Sequence, residues 1–179
     1  MYYIKHTKDS KNNLDYIEIE DSEKASYAKI YLDLGASIQE LVLNKHHIIK
    51  NLRPLTYNET YASSILFPFA NRIADGMYDF EGKTYFLNIN QQEENNTLHG
   101  LVYNKTFELV EKKVAQEVAS VLLRYEEQNY TQGFPYTYII DLKCTLTKYS
   151  LSLTMTVKNT DTKEFPFTLG WHPYFTTSD

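Results

Sequence analysis

The amino-acid sequence predicts an all-β fold in which antiparallel strands pack face to face as a β-sandwich. Two successive segments, residues 137–148 and 151–158, alternate apolar and polar residues with a period of two. Strands with one buried and one solvated face show this period, and no stretch of the chain sustains the 3.6-residue period of a helix. The 16 Tyr and 9 Phe also favour strands. We expect the two segments to pair antiparallel, with four side chains facing the core: Leu142, Cys144, Leu153 and Met155.

Further strands are predicted along the rest of the chain. The β-rich segments are residues 2–6, 14–20, 26–34, 37–43, 107–111 and 118–125. Residues 78–87 are typical of a hairpin that turns at Glu81 and Gly82. The polar residues 51–60 and the asparagine-rich residues 91–97 are predicted to be loops. Sheet packed on sheet is the architecture that such a chain favours.

Length, charge and cysteine content narrow the class of protein. The 179 residues fit a single domain, residues 1–179, which is large enough to bury a core. The net charge is −5 and no basic run occurs, so we expect neither nucleic acid nor a membrane as a partner. The single cysteine, Cys144, excludes an internal disulfide. The first residues lack the apolar run of a secretion signal, and we expect a cytoplasmic protein.

Two stretches contain residues suited to binding a small, neutral, hydroxyl-rich molecule. Asn71 and Arg72 follow an aromatic run, and His99 lies in a glycine-containing turn further on. Arginine offers a rigid fork of donors, asparagine both donates and accepts, and imidazole exchanges a proton near neutral pH. A second histidine, His172, lies within the aromatic stretch of residues 170–175.

Each of these side chains also has a structural interpretation. A loop histidine can bond to nearby carbonyls, an arginine is most often solvated, and aromatic side chains are most often core. We favour the core interpretation for Phe175 and a surface or structural role for His6, His46 and His47. We expect no metal site, because no His or Cys cluster has ligand spacing. No serine lies in a nucleophile elbow either.

Taken together, the motifs resemble the aldose 1-epimerase (galactose mutarotase) family. The resemblance rests on residues 67–73 (FPFANRI), 98–100 (LHG) and 170–175 (GWHPYF), and on hairpin residues Gly76, Tyr78, Phe80, Gly82 and 85–87. It implies part of the large β-sandwich, the supersandwich, that is typical of mutarotases. It also implies that the family's catalytic glutamate lies beyond residue 179, because family members continue well past the second histidine motif.

The resemblance implies a role for each candidate residue. Interconverting the anomers of an aldose needs a general acid at the ring oxygen and a general base at the C1 hydroxyl. By the resemblance, His172 would be the acid and His99 would hydrogen-bond the substrate near the ring oxygen. No cofactor is needed, because neither redox nor group transfer is involved. The residues that would hold the sugar or border the pocket are Asn71, Arg72, Trp171 and Tyr174.

The general base and the partners stay open at this point. The carboxylates near the motifs all lie in polar turns or loops: Asp75, Asp79, Glu81, Glu93, Glu94 and Glu164. The chain is then either the N-terminal part of a longer enzyme, which we favour, or a natural short form. Uncovered sheet edges would favour self-association. The expected substrate is a free aldohexose, because few basic residues lie near the motifs to meet a phosphate.

Two other functions compete with an epimerase. One is a carbohydrate-binding β-sandwich that holds sugars without turning them over. The other is a scaffold in which both histidines are structural. Loss of sugar binding on changing Arg72 would separate these two.

Overall fold

The computed structural model describes residues 1–10 and 14–177, and its regular structure is almost entirely antiparallel strand. The predicted all-β, antiparallel fold class is therefore confirmed. The first sheet has five strands that are neighbours in chain order: β1 (Tyr2–Asp9), β2 (Leu14–Asp21), β3 (Tyr27–Tyr31), β4 (Ser37–Leu43) and β5 (His46–Ile49).

Short elements connect this sheet to the second one. A single helical turn, α1 (Tyr57–Thr60), begins after Thr56, whose backbone N–H and hydroxyl both donate to the Glu59 carboxylate. The prediction of a loop over residues 51–60 misses this turn. It is followed by β6 (Ile65–Leu66), β7 (Ile73–Ala74), β8 (Met77–Phe80), β9 (Lys83–Phe86) and β10 (Asn96–Thr97).

The second sheet has four strands, again in chain order, and one further short strand follows it. The strands are β11 (Glu108–Val114), β12 (Val118–Glu127), β13 (Tyr138–Thr147) and β14 (Leu151–Asn159), followed by β15 (Gly170–Trp171). The predicted hairpin is confirmed as β8 and β9, and its turn residues Glu81 and Gly82 both have positive φ. That conformation suits the tight turns that join two strands of a hairpin.

The two larger sheets contribute to one hydrophobic core. Ile17, Ile19 and Ile30 from the first sheet and Val121 and Leu123 from the second are each almost fully buried in the same cluster. Burying one such side chain contributes about 1.5–3 kcal/mol, so this alternation along the strands is the main reason the chain forms sheets.

The predicted pairing of the two amphipathic segments is confirmed in its register. Leu142 lies opposite Met155, and Cys144 lies opposite Leu153. On β13 both predicted core residues are buried, whereas on β14 both are only half-buried. The core therefore covers the apolar row of β13 completely and leaves the apolar row of β14 at its margin.

One expectation about the aromatic residues is wrong. Phe175 is 58% exposed. It lies at the surface, where its ring packs edge-on against Trp171, and not inside the core. His6, His46 and His47 are exposed, as expected, and His6 bonds to the Asp15 carboxylate. Within the described residues no helix has the length and apolar character needed to cross a bilayer.

Candidate functional site

The segment from Ser63 to Phe67 joins the two sequence motifs. Its strand β6 pairs antiparallel with β15, so that Leu66 lies opposite Gly170. The ladder is extended by Ser63, whose N–H donates to the His172 carbonyl at 2.8 Å, and by the His172 N–H, which donates to the Ser64 carbonyl at 3.1 Å. The backbone of His172 is therefore fixed on this side of the segment.

The same segment holds the other histidine motif at its far end. The Phe67 carbonyl accepts a hydrogen bond from the Leu101 N–H at 2.7 Å, and Phe67 forms a β-bridge with Gly100. A Cβ atom on Gly100 would lie 2.3 Å from the Phe67 carbonyl oxygen, and φ at Gly100 is +73°. Glycine alone fits this approach, which brings the preceding residue, His99, beside His172.

The two histidine rings are in direct contact. Their centroids lie 4.9 Å apart at an interplanar angle of 66°. Tyr61 meets the His99 ring edge-on at 5.0 Å, and Tyr174 lies 5.3 Å from the His172 ring. His99 is 8% exposed with φ +65°, while Tyr174 is 42% exposed. The site thus has a buried histidine at its base and an aromatic ring at its solvent side.

Burial changes the protonation of His99. Removal of its ring from water is the largest cause, and together with the electrostatic effects of His172 and Arg72 it lowers the pKa of His99 to about 4. Desolvation disfavours the imidazolium form, and nearby cations add to that effect. His99 is therefore neutral at pH 7 and can act as a hydrogen-bonding group without carrying charge.

Several buried polar atoms at this place have no hydrogen-bond partner within the described residues. They are the Nδ1 atoms of His99 and His172, Nε1 of Trp171 and Oγ of Ser63. Leaving a buried donor or acceptor unpaired costs about 1–3 kcal/mol, so such atoms are rare and call for an explanation. Ser63 hydrogen-bonds to His172, whose ring contacts His99, and Trp171 is the residue before His172, so the four atoms make this place a candidate functional site.

Arg72 lies beside the His99 motif because β7 pairs with β10. Ile73 is opposite Thr97 in that pair. The Arg72 Nε donates to Gln91 Oε1 at 3.0 Å and to Glu94 Oε2 at 3.1 Å, and its side chain is 48% exposed. Arg72 is thus a surface arginine with bound partners, close enough for its charge to act on His99.

The two remaining predicted binding residues differ in how they are placed. Asn71 is exposed, and its Oδ1 accepts a hydrogen bond from the Arg72 N–H at 2.8 Å. Trp171 is half-buried on β15, with its ring 6.0 Å from that of Phe175. Trp171 is adjacent to His172 in the sequence and Asn71 is adjacent to Arg72, and the part of both residues in binding stays a prediction.

Asn90 fixes the backbone just before His99 and was missed in the sequence. Its Oδ1 accepts from the Leu98 N–H at 2.7 Å, and its Nδ2 donates to the Leu98 carbonyl at 2.9 Å and to the Tyr103 hydroxyl at 3.2 Å. Asn90 lies in a polar, asparagine-rich run, so nothing in its sequence context distinguishes it. Tyr61 was missed for a similar reason, since it follows a loop-like segment.

Comparison with known proteins identifies the family. The family model of aldose 1-epimerase matches residues 15–179 of the chain. The chain belongs to the aldose 1-epimerase family. Two uncharacterised proteins of Escherichia coli K12 are similar to it: YihR at 26% identity over 84% of this chain, and YphB at 31% over 62%.

Solved structures of this family's fold superpose on the chain. A galactose mutarotase-like protein from Clostridium acetobutylicum matches with a TM-score of 0.83 and 25% identity, over 97% of this chain and 54% of that one. Galactose 1-epimerase from Lactobacillus acidophilus matches with a TM-score of 0.68 at 15% identity, over 89% of this chain and 48% of that one, and shows the fold alone. The chain spans 47% of YihR and 35% of YphB, at most about half of the curated relatives' length.

Two other kinds of site were compared with the histidine pair, a metal-binding cluster and a large cavity. Among residues 1–10 and 14–177, no group of three or more His, Cys, Asp or Glu side chains could hold a metal ion. A cavity of about 610 Å³ lies elsewhere, lined by Met1, Tyr2, Asp21, Lys148 and Tyr149 among others. Its lining contains no histidine, and Lys148 there is ion-paired with Glu23 at 3.7 Å. His99 and His172, where buried polar atoms without partners and proton-exchanging groups coincide, are therefore the candidate site.

Proposed function

We propose that the protein acts on a free aldohexose as an aldose 1-epimerase, interconverting the α and β anomers through ring opening. The observation that carries this proposal is the contact between the His99 and His172 rings, 4.9 Å apart, with an unpartnered buried Nδ1 on each. In the reaction, the ring oxygen gains a proton as the C1 hydroxyl loses one. The ring then closes on the other face of C1 with both transfers reversed.

The electrostatics of the pair favour a different role for each histidine. Because the pKa of His99 is lowered to about 4, its ring is neutral at pH 7, and almost none of it is in the imidazolium form that could act as a general acid. We assign the acid role to His172 and a hydrogen bond near the ring oxygen to His99. A positioned acid of this kind contributes roughly 10²–10⁴-fold in rate.

Arg72 and its neighbours support a neutral sugar as the substrate. Glu94 already neutralises much of the Arg72 charge through the 3.1 Å contact at Nε. The other nitrogens of the guanidinium group are donors suited to hydroxyls. A phosphate would meet the Glu94 carboxylate at the same place and be repelled, so a free hexose fits this surface better than a hexose phosphate.

The general base is the part of the mechanism for which these residues offer no strong candidate. Among the carboxylates near the motifs, Glu94 contacts Arg72, and its side chain is 55% exposed. A solvated, ion-paired carboxylate is a weak proton acceptor at neutral pH. We therefore propose that residues 1–179 bind the sugar but do not by themselves accelerate its mutarotation.

Two measurements on the 179-residue chain test this proposal. Polarimetry with α-D-galactose and α-D-glucose should give the rate of buffer alone, while NMR titration with the same sugars should shift the His99 and His172 ring resonances. Arg72→Ala should weaken the titration, and Lys143→Ala, an exposed position on β13, serves as the matched control. No sugar-dependent shift would contradict the site itself. A rate well above buffer that is lost in Glu94→Gln would place the base within this chain.

The second candidate function, a non-catalytic carbohydrate-binding module, is supported by the exposure of Arg72 and Tyr174. The two functions differ in what His172 does. For a binding module, His172→Gln would weaken sugar binding to the same degree as Arg72→Ala. For an epimerase, binding would survive the loss of the acid.

A further inference from the structure

The helical turn α1 brings two tyrosine side chains towards the histidine pair. Tyr57 begins the turn, and Tyr61 ends it in the left-handed conformation, with its N–H donating to the Tyr57 carbonyl at 2.7 Å. Residues four apart on a helix lie on the same face, and the centroids of these two rings are 6.4 Å apart. Since Tyr61 meets the His99 ring edge-on, Tyr57 is one ring away from the pair.

The Tyr57 hydroxyl joins the segment that holds His172 to the loop that follows His99. It donates to the Tyr103 carbonyl at 2.7 Å, and its oxygen lies 2.8 Å from Ser64 Oγ. Ser64 is fully buried, and its carbonyl accepts the hydrogen bond from the His172 N–H. Tyr103 lies four residues after His99 in the sequence. One hydroxyl group therefore contacts both sides of the site.

The hydrogen atoms of this network have defined acceptors. Ser64 Oγ donates to the Tyr61 carbonyl at 2.6 Å, which leaves the hydrogen of the Tyr57 hydroxyl for the Tyr103 carbonyl. Burial raises the pKa of Tyr57, so the hydroxyl keeps this hydrogen at neutral pH. The Tyr103 hydroxyl in turn accepts from Asn90 Nδ2 at 3.2 Å. Loss of the Tyr57 hydroxyl would leave the Tyr103 carbonyl without this donor.

We propose that Tyr57 is a positioning residue for the histidine pair, because its hydroxyl fixes the loop after His99 relative to the segment bonded to His172. The two histidine rings belong to motifs that meet only in the fold, with centroids 4.9 Å apart. The inference rests on the proposed function, since two groups that act on one sugar must keep a fixed spacing. Tyr57 itself acts through Ser64 and Tyr103 and does not touch either histidine ring through its hydroxyl.

Nuclear magnetic resonance on Tyr57→Phe tests this role without a sugar. Phenylalanine keeps the ring and removes only the hydroxyl. The loop after His99 should then loosen and admit water, so the pKa of His99 should rise from about 4 towards 6.5, by about one pH unit. The ring-to-ring Overhauser effect between His99 and His172 should weaken as well. The signal of His99 is identified by its absence from the spectrum of His99→Asn.

Tyr27→Phe is the matched control. The Tyr27 hydroxyl also donates one hydrogen bond from a half-buried tyrosine, to Glu18 Oε1 at 2.8 Å in the first sheet. Both variants should lower the urea midpoint to a similar degree, but only Tyr57→Phe should change the His99 pKa and the ring contact. An unchanged His99 pKa and ring contact in Tyr57→Phe would overturn the proposal, and so would equal changes in the two variants.

Ser64→Ala tests whether the hydroxyls of Ser64 and Tyr57 act as one connection. It should raise the pKa of His99 in the same direction, and the double variant should go little beyond Tyr57→Phe alone, because residues in one network are not additive. Fully additive changes would mean that Tyr57 does not act through Ser64, against the proposal. A wild-type chain that binds no sugar would contradict the proposed function, whereas failure of the positioning role shows in the sugar-free spectra.

Discussion

Acidification should destabilise this protein through His99, because the fold holds that ring neutral. The pKa of His99 is lowered from 6.5 to about 4, mainly by burial. A folded-state pKa below the unfolded value means that the unfolded chain binds the proton more readily. The contribution of His99 to stability is therefore fully present above pH 6.5 and is lost as the pH falls from 6.5 towards 4.

The size of the effect follows from the two pKa values. Between pH 7 and pH 5 the free energy of unfolding should fall by about 2 kcal/mol from this one group, and the limit at still lower pH is about 3 kcal/mol. Losses of this size are a large fraction of the stability of an ordinary domain, so the measurement is well within reach.

Urea denaturation of wild type and His99→Asn at pH 7 and pH 5 isolates this contribution. Asparagine does not titrate, and it tolerates the left-handed conformation that His99 adopts at φ +65°. Carboxylates titrate in both proteins alike, so the wild type should lose about 2 kcal/mol more than the variant between the two pH values. Equal losses in the two proteins would mean that His99 is not held neutral by burial, and the division of roles between the histidines would fail with it.

Three other substitutions, and Gly82→Ala as a matched control for the first of them, have defined outcomes. Gly100→Ala should lower the free energy of unfolding by more than about 2 kcal/mol in urea denaturation, because its Cβ would meet the Phe67 carbonyl oxygen. Gly82→Ala, also at positive φ but with open space, should cost about 1 kcal/mol, and equal costs would contradict the steric argument. Asn90→Ala removes two bonds to the Leu98 backbone and should cost about 1–3 kcal/mol and weaken sugar titration; unchanged titration would separate Asn90 from the site. In a catalytically active form of the protein, His172→Gln should lower kcat much more than it changes KM. A rise in KM alone would assign His172 to binding.

The sequence predicts the strands well where the choice of buried face alone determines the alternation of apolar and polar residues. On β13 and β14 the period-two alternation determines which face is buried, and no partner information is needed to read it. The alternation cannot tell how deep each strand lies, which is why Leu153 and Met155 face the core yet stay half-buried. Phe175 shows the same limit, because an apolar ring near a motif does not reveal whether another element covers it.

The site was predictable only in its most distinctive residues. His99 and His172 stand out because they lie beside glycine and aromatic positions, and the structure brings their rings together. Asn90 and Tyr61 gave no comparable signal, since their importance comes from what they contact after folding. The ion pair between Arg72 and Glu94 joins residues in different loops, and no local pattern encodes such a contact.

The position of the segment from Ser63 to Phe67 between the two motifs has a consequence for how the protein is made. Contacts that close this region include the hydrogen bond from Thr168 to Pro68, which spans 100 residues of chain. Contacts of such long sequence separation form slowly, because closing a long loop of chain costs conformational entropy before the contact can stabilise the fold. During synthesis the histidine pair cannot exist until residue 172 has left the ribosome. A sugar bound there would favour the finished fold over every earlier intermediate, and the added stability would grow with the logarithm of the free sugar concentration once that concentration exceeds Kd.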